Sequence, residues 1–173
     1  SMTPIRRSRT DEHGAILAVI NAAAERYRGT IPADCWHEPY MSSEQLARDI
    51  AAGVNFWVYE DNDRELAGVM GLQHVKDVTL VRHAYVLPSR QGRGIGRKLL
   101  RHLEEMSDQP ILIGTWADAT WAIGFYEAHG YALISPQETA ALLNAYWSIP
   151  PRQVATSVVL IKPARSGTLP IGR

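Results

Sequence analysis

The 173-residue sequence predicts a single domain of the α/β (α+β) class, a sheet with helices on both faces. Three observations carry that prediction. Helical apolar spacing near residues 10–28 and 42–52 gives way to three consecutive strand-like runs between residues 55 and 87. A glycine-rich bend, "SRQGRGIGRKLL" (Ser89 to Leu100), then opens a second helical stretch. Beyond it, "PILIGTW" (Pro110 to Trp116) is short and fully apolar, as a strand buried on both faces is. With 46% apolar and 21% charged residues, the chain is rich enough in apolar side chains to bury a core and too rich to stay disordered.

Each element has its own local reason. Thr10, Asp11 and Glu12 open the first helix, with acids where the helix dipole favours them; Ile16, Leu17, Ile20 and Ala24 supply its apolar face and Gly29 stops it. "IPADCWHEPYM" (Ile31 to Met41) is an aromatic loop with two prolines. Ser42 and Gln45 form a capping box for a helix through Leu46 and Ile50, ended by Gly53. "NFWVYE" and "LAGVMGLQHV", joined by Asp61 to Arg64, predict an antiparallel hairpin, and Val78 to Leu87 a third strand. Ile95, Leu99, Leu103 and Met106 form the core stripe of the helix after the glycines. "TWAIGFYEAH" is a helix stopped by Gly130, "YALIS" a strand, and "SPQE" (Ser135 to Glu138) the start of a helix carrying Leu142, Leu143 and Tyr146. Val154 to Ile161 closes the fold as a strand, and the helix-separated strands of this half are expected to run parallel. The domain spans residues 3–162; residues 163–173 lack periodicity and are expected to be a mobile tail.

Charge and composition exclude several functions. Lys plus Arg equals Asp plus Glu at 18 each, so no global field recruits nucleic acid or an anionic membrane. Cys35 is the single cysteine, and the six histidines never fall at metal-ligand spacing, so neither a disulfide framework nor a metal site is expected. No apolar run approaches the ~20 residues that a membrane span requires. The expectation is a soluble, cytoplasmic protein.

The glycines are the informative feature. A helix N-terminus carries unpaired N–H groups and about half a positive charge, and glycines let an anion approach them. A Walker loop fails at two of three places, because Arg97 and Leu99 stand where glycine and serine or threonine are needed beside Lys98. A dinucleotide fingerprint fails at Arg97 and lacks its crossover unit. Gln91-Gly92-Arg93-Gly94-Ile95-Gly96 fits a third pattern, Q-x-x-G-x-G, with Arg93, Arg97 and Lys98 as nearby cationic donors. The bland alternative is a glycine connector followed by a basic, solvated helix face.

This motif, with "AYVLPSRQGRGIGRKLL" around it and "WAIGFYEAHGY" downstream, resembles the GNAT acetyltransferase superfamily from about Thr3 to Ile161. The resemblance implies the GNAT fold: a mixed, mostly antiparallel sheet of about six or seven strands. It also implies an N-acetyltransferase that moves an acetyl group from acetyl-CoA to a primary amine of a small molecule or peptide by direct attack in a ternary complex. Ala84, Tyr85 and Val86 would then pair with the pantetheine arm, and Gln91 through Arg97 (Gln91, Gly92, Arg93, Gly94, Ile95, Gly96, Arg97) with the pyrophosphate. Tyr126 would be the general acid for the departing thiolate, against the plainer reading of a core aromatic beside Phe125. The Val86 N–H would be the oxyanion donor. The resemblance allows a homodimer.

The general base departs from the family pattern. The fourth-strand positions that carry Glu or His in some members hold Arg82 and Leu80; the fifth-strand glutamate position holds Gly114, and a frequent asparagine is Ala119. Glu38, Asp118 or a water chain are open alternatives. His83 is a further candidate, although strand alternation turns it to the opposite face unless a bulge intervenes. Arg82 suits an acidic acceptor or, equally, a structural ion pair. Trp36, Glu38 and Trp116 are candidates for the acceptor site, against simple aromatic packing. A non-catalytic acyl-CoA-binding sensor or partner domain is the alternative from another functional class.

Overall fold

A computed structural model describes residues 4–171 and gives a seven-stranded mixed sheet flanked by helices. The strands are β1 (Ile5–Arg7), β2 (Asn55–Glu60), β3 (Leu66–Val75), β4 (Val78–Val86), β5 (Ile111–Trp116), β6 (Ala132–Leu133) and β7 (Ser157–Lys162). Their order is β1-β2-β3-β4-β5-β7-β6. The helices are α1 (His13–Ala24), α2 (Ser43–Ala51), α3 (Ile95–Glu105), α4 (Thr120–Ala128), α5 (Pro136–Tyr146) and α6 (Pro151–Ala155).

The chain forms two compact units. The first takes the residues up to Arg26, His37–Gln73 and Val81–Met106. Its core joins Ile16, Val19 and Ile20 of α1 and Leu46 of α2 to Phe56, Val58 and Val69 of the sheet. On β3, Gly68 admits α3: a Cβ there would lie 2.8 Å from Ile95 Cγ2 and 3.1 Å from Leu99 Cδ1. The predicted hairpin is present as β2 and β3, antiparallel, with a register shift at Tyr59/Glu60. β1 pairs antiparallel with β2 and was invisible in the sequence, since a strand of three residues has no measurable alternation.

Glu12 shows why the first helix begins where it does. Its carboxylate accepts the Arg9 N–H at 2.7 Å and takes both Arg6 Nη1–H and Nη2–H, at 2.9 and 2.7 Å. The Arg6 hydrogen bonds outweigh its burial and hold its pKa down at about 2. A carboxyl group depressed in the folded state stabilises the fold above its unfolded pKa near ~4.3, and that contribution fades as pH falls toward 2. Glu12→Gln should therefore cost about 2 kcal/mol at pH 7. Denaturant melts at pH 7 and pH 2.5 check this; the wild-type advantage should shrink at the lower pH.

The second unit takes Tyr27–Trp36, His74–Leu80 and the chain from Ser107. Val78 and Leu80 of the sheet, Leu112 and Val159 pack with Leu142, Leu143 and Tyr146 of α5. β5 and β6 both pair antiparallel with β7, which lies between them, so the strands on either side of α4 point the same way but are not neighbours. The expected start of the last strand at Val154 is corrected to Ser157, because Pro151 at the first helical position makes residues 151–155 helical. After β7, Gly167 N–H donates to the Ala164 carbonyl at 2.7 Å, and Ile171 N–H to the Asp77 carboxylate at 2.8 Å.

Two further details differ from expectation. Met106 is 42% exposed; it caps α3 after the last inward turn, and Leu100 takes the buried place instead. Ser42 caps α2 through the Gln45 N–H at 3.1 Å, but the Gln45 side chain reaches forward to Asp49 at 2.9 Å, so the reciprocal half of the capping box is not made.

Candidate active site

In the first unit the glycine bend leads from β4 into α3. β4 ends at Val86, a 3-10 turn covers Pro88–Arg90, and α3 starts at Ile95. Gly94 is the N-cap with φ of 78°, a left-handed conformation that a side chain strains, and Gly92 has φ of 81°. A Cβ at Gly92 would meet nothing within 4 Å, so the space beside the bend is open. The first hydrogen bond of α3 runs from Lys98 N–H to the Gly94 carbonyl at 3.0 Å, which leaves the amides ahead of it without an intrahelical acceptor. Arg93, Arg97 and Lys98 are exposed around them. The bend is anchored on its strand side. Arg90 pairs with Asp61 at 3.0 Å, and Gln91 Nε2 donates to the Val86 carbonyl at 3.4 Å. Ala84, Tyr85 and Val86 are partly exposed at the end of β4, with Tyr85 edge-on to Tyr40 at 6.4 Å.

His83 is where sequence alternation breaks down. Its φ of 56° lies in the left-handed region, which interrupts the pleat of β4 as a bulge does. Gly71 accommodates the distortion, since a Cβ there would come within 2.9 Å of the Arg82 carbonyl oxygen. As a result Arg82 and His83, neighbours in sequence, both reach Asp49 of α2. His83 Nε2 bonds Asp49 Oδ2 at 2.8 Å, and Arg82 Nη2 lies 3.9 Å from Oδ1. Arg82 Nη1 also donates to Gln73 at 3.2 Å, and the imidazole stacks on Phe56 at 5.9 Å.

The charges of this cluster are set by burial and by each other. Burial pushes Asp49 up, but the hydrogen bond from His83, the Arg82 guanidinium and the hydrogen bond from Gln45 outweigh it, so its carboxyl lies below the usual range. Burial lowers His83, helped by the Arg82 cation and opposed by Asp49. A neutral imidazole therefore faces an ionised carboxylate, and Nε2 must be the nitrogen that carries hydrogen. Asp49 escaped the sequence reading. Its signal was positional: with Leu46 and Ile50 it shares the inward face of α2, so a carboxylate stands where an apolar residue is expected.

In the second unit Tyr126 is 7% exposed and packs edge-on to Phe125 at 5.3 Å and Tyr131 at 6.0 Å. Its hydroxyl bonds no described residue. No buried side-chain oxygen among the described residues lacks a partner, so the exposed part of Tyr126 includes the hydroxyl. Burial, with a smaller contribution from Tyr27, pushes the phenol well above its ordinary pKa and keeps it protonated.

The remaining candidates lie apart in role. Trp116 is buried at the end of β5, Trp36 lies under the Arg28 guanidinium at 4.8 Å, and Glu38 is exposed in its loop. Trp57 packs on His102 of α3 at 4.7 Å. Gly114 has a physical explanation: a Cβ there would press on Trp147 Cζ2 at 3.3 Å, so the indole occupies the space above it. Among the described residues no three His, Cys, Asp or Glu side chains gather as a metal site, and no helix is long and apolar enough to cross a membrane.

Comparison with known proteins bears on the family and the fold. Residues 52–133 match the family model of an acetyltransferase (GNAT) domain. No curated protein sequence matches the chain. Among solved structures, a GNAT-family acetyltransferase from Staphylococcus aureus Mu50 superposes with a TM-score of 0.69 at 17% identity, covering 92% of this chain and 97% of that one. PaiA N-acetyltransferase from Thermoplasma acidophilum, solved in complex with coenzyme A, gives 0.69 at 16% identity over 92% and 97%. A ribosomal-protein alanine N-acetyltransferase from Escherichia coli gives 0.65 at 18% identity over 94% of each chain. At these identities the structural likeness is one of fold.

Proposed function

We propose that this chain, whose residues 52–133 match the GNAT acetyltransferase domain, is an N-acetyltransferase moving an acetyl group from acetyl-CoA to a primary amine by direct attack in a ternary complex. The observation that carries this reading is the glycine-lined start of α3. The amides of its first turn, the open side of Gly92 and the three exposed cations suit a diphosphate. Gln91 to Arg97 would hold that group, and Ala84, Tyr85 and Val86 the pantetheine arm. The coenzyme A in the Thermoplasma structure supports the choice of ligand.

In this proposal the Val86 N–H stabilises the oxyanion and Tyr126 gives its hydroxyl proton to the thiolate as the carbon–sulfur bond breaks. A solvent-reached hydroxyl held protonated by burial favours that role over a purely structural one. The acceptor is a small-molecule or peptide amine, and the Escherichia coli relative's alanine substrate supports the peptide arm. Trp36, Glu38 and Trp116 are offered as acceptor-side residues, as is Arg82, which would meet an acidic group.

Mixing the protein with acetyl-CoA and a panel of amino acids, polyamines, aminoglycosides and peptides, and following free thiol, tests the reading. Steady release with at least one amine is expected. Tight acetyl-CoA binding without release from any amine would favour a non-catalytic acyl-CoA-binding domain instead.

A further inference from the structure

Resting on the acetyl-transfer reading, we infer that His83 is the general base of this protein and that Asp49 is its positioning residue. The two are 2.8 Å apart on elements that the sequence separates by 34 positions. Three features of the cluster combine to this end.

The first is orientation. Asp49 holds the ring through Nε2 and Phe56 stacks on its face at 5.9 Å, so both the tilt and the tautomer of the imidazole are fixed. Asp49 is itself held by Gln45 Nε2 at 2.9 Å. The second is access. Nδ1 bonds no described residue, and the side chain keeps 15% of its surface exposed, so the ring is not sealed off. The third is charge state. The charged groups that contact the ring's cluster are Asp49 from α2 and Arg82 from β4; Gln73 from β3 and Phe56 from β2 are neutral. The carboxylate supports the Nε2–H, while burial and the guanidinium oppose a second proton on the ring. A base that must be empty at neutral pH is thereby kept empty.

A left-handed backbone is strained at a residue with a Cβ. A histidine that merely filled space has no use for that strain, since the regular pleat would have turned it away from Asp49. The strained φ brings the imidazole onto the face that Arg82 already occupies.

The step is simple in balance. The acceptor ammonium passes one proton to Nδ1 and on to solvent; the freed amine nitrogen forms its bond to the acetyl carbon, the carbon–sulfur bond breaks with its electron pair on sulfur, and the second proton shed by nitrogen replaces, by way of solvent, the one that Tyr126 gives to the thiolate. The substrate class follows from the need for a base: amines that are mostly ammonium at pH 7, such as alkyl amines with pKa near ~10.

The test uses the full chain. Nitrogen-15 NMR of the histidine rings should show His83 as the Nε2–H tautomer at pH 7, losing that form only below the ordinary imidazole range. The acid limb of kcat/KM should follow the same titration. His83→Gln should lower kcat/KM by about 100-fold and erase that limb, with calorimetric acetyl-CoA affinity unchanged. Asp49→Asn removes a group that raises the ring's pKa, so the limb should move to lower pH while kcat falls; a merely structural aspartate would lower stability and leave the limb in place. An Nδ1–H tautomer, a limb unmoved in Asp49→Asn, or wild-type kcat/KM in His83→Gln would each overturn the base assignment alone. A wild-type protein that binds acetyl-CoA but acetylates no amine would overturn the underlying reading and the base with it.

Discussion

Replacing Gly94 by valine is expected to weaken acetyl-CoA binding about 100-fold while the domain stays folded. The reasoning starts at the backbone. Gly94 is the N-cap of α3 with φ of 78°, and a β-branched residue in that region costs about 1–2 kcal/mol. Against a folding stability of about 5–15 kcal/mol, the fold survives that strain. Binding suffers more. An anion at a helix start gains about 0.3–2 kcal/mol from the dipole, and each charge-assisted hydrogen bond adds about 1.5–3 kcal/mol. Losing part of each amounts to about 2.7 kcal/mol, or about 100-fold in Kd. Calorimetry against acetyl-CoA measures it, with a thermal melt as the check on folding. Undiminished affinity would show that the bend is only a connector.

Tyr126→Phe is expected to lower kcat by about 10²–10⁴-fold with little change in the KM for acetyl-CoA. The substitution removes one oxygen and keeps the ring that packs against Phe125 and Tyr131. Since the hydroxyl bonds no described residue, its loss leaves no partner stranded and Tm should barely move. Burial disfavours the phenolate, so the wild-type hydroxyl remains a proton donor well above neutral pH. Steady-state rates with the best amine decide the matter. An unaltered kcat would return Tyr126 to the role of a packing aromatic.

Much of this fold was legible because local signals and tertiary packing agreed. The Ser42 and Ser135 caps, the Asp61–Arg64 turn and the Ile95–Leu99–Leu103 stripe each stand where their chemistry predicts. The misses have physical causes. β1 is too short to show a period, and Val154 and Ala155 have strand character but follow a proline pair that starts a helix. The glycine bend could be read directly, because positive φ and missing side chains are written in residue type. His83 could not. Which face it takes depends on a single backbone angle, and the room for that angle comes from Gly71 on the neighbouring strand. Asp49 was hidden for a related reason: its meaning depends on a partner 34 residues away.

Trp147 roofs Gly114 so closely that even a methyl group there would crowd the indole. A carboxylate at residue 114 would therefore have to push the indole aside, and trimming the tryptophan would relieve that crowding. Any redesign of proton removal in this scaffold is steered toward the kinked fourth strand, and a single bulky aromatic thereby limits which catalytic solutions lie one step away.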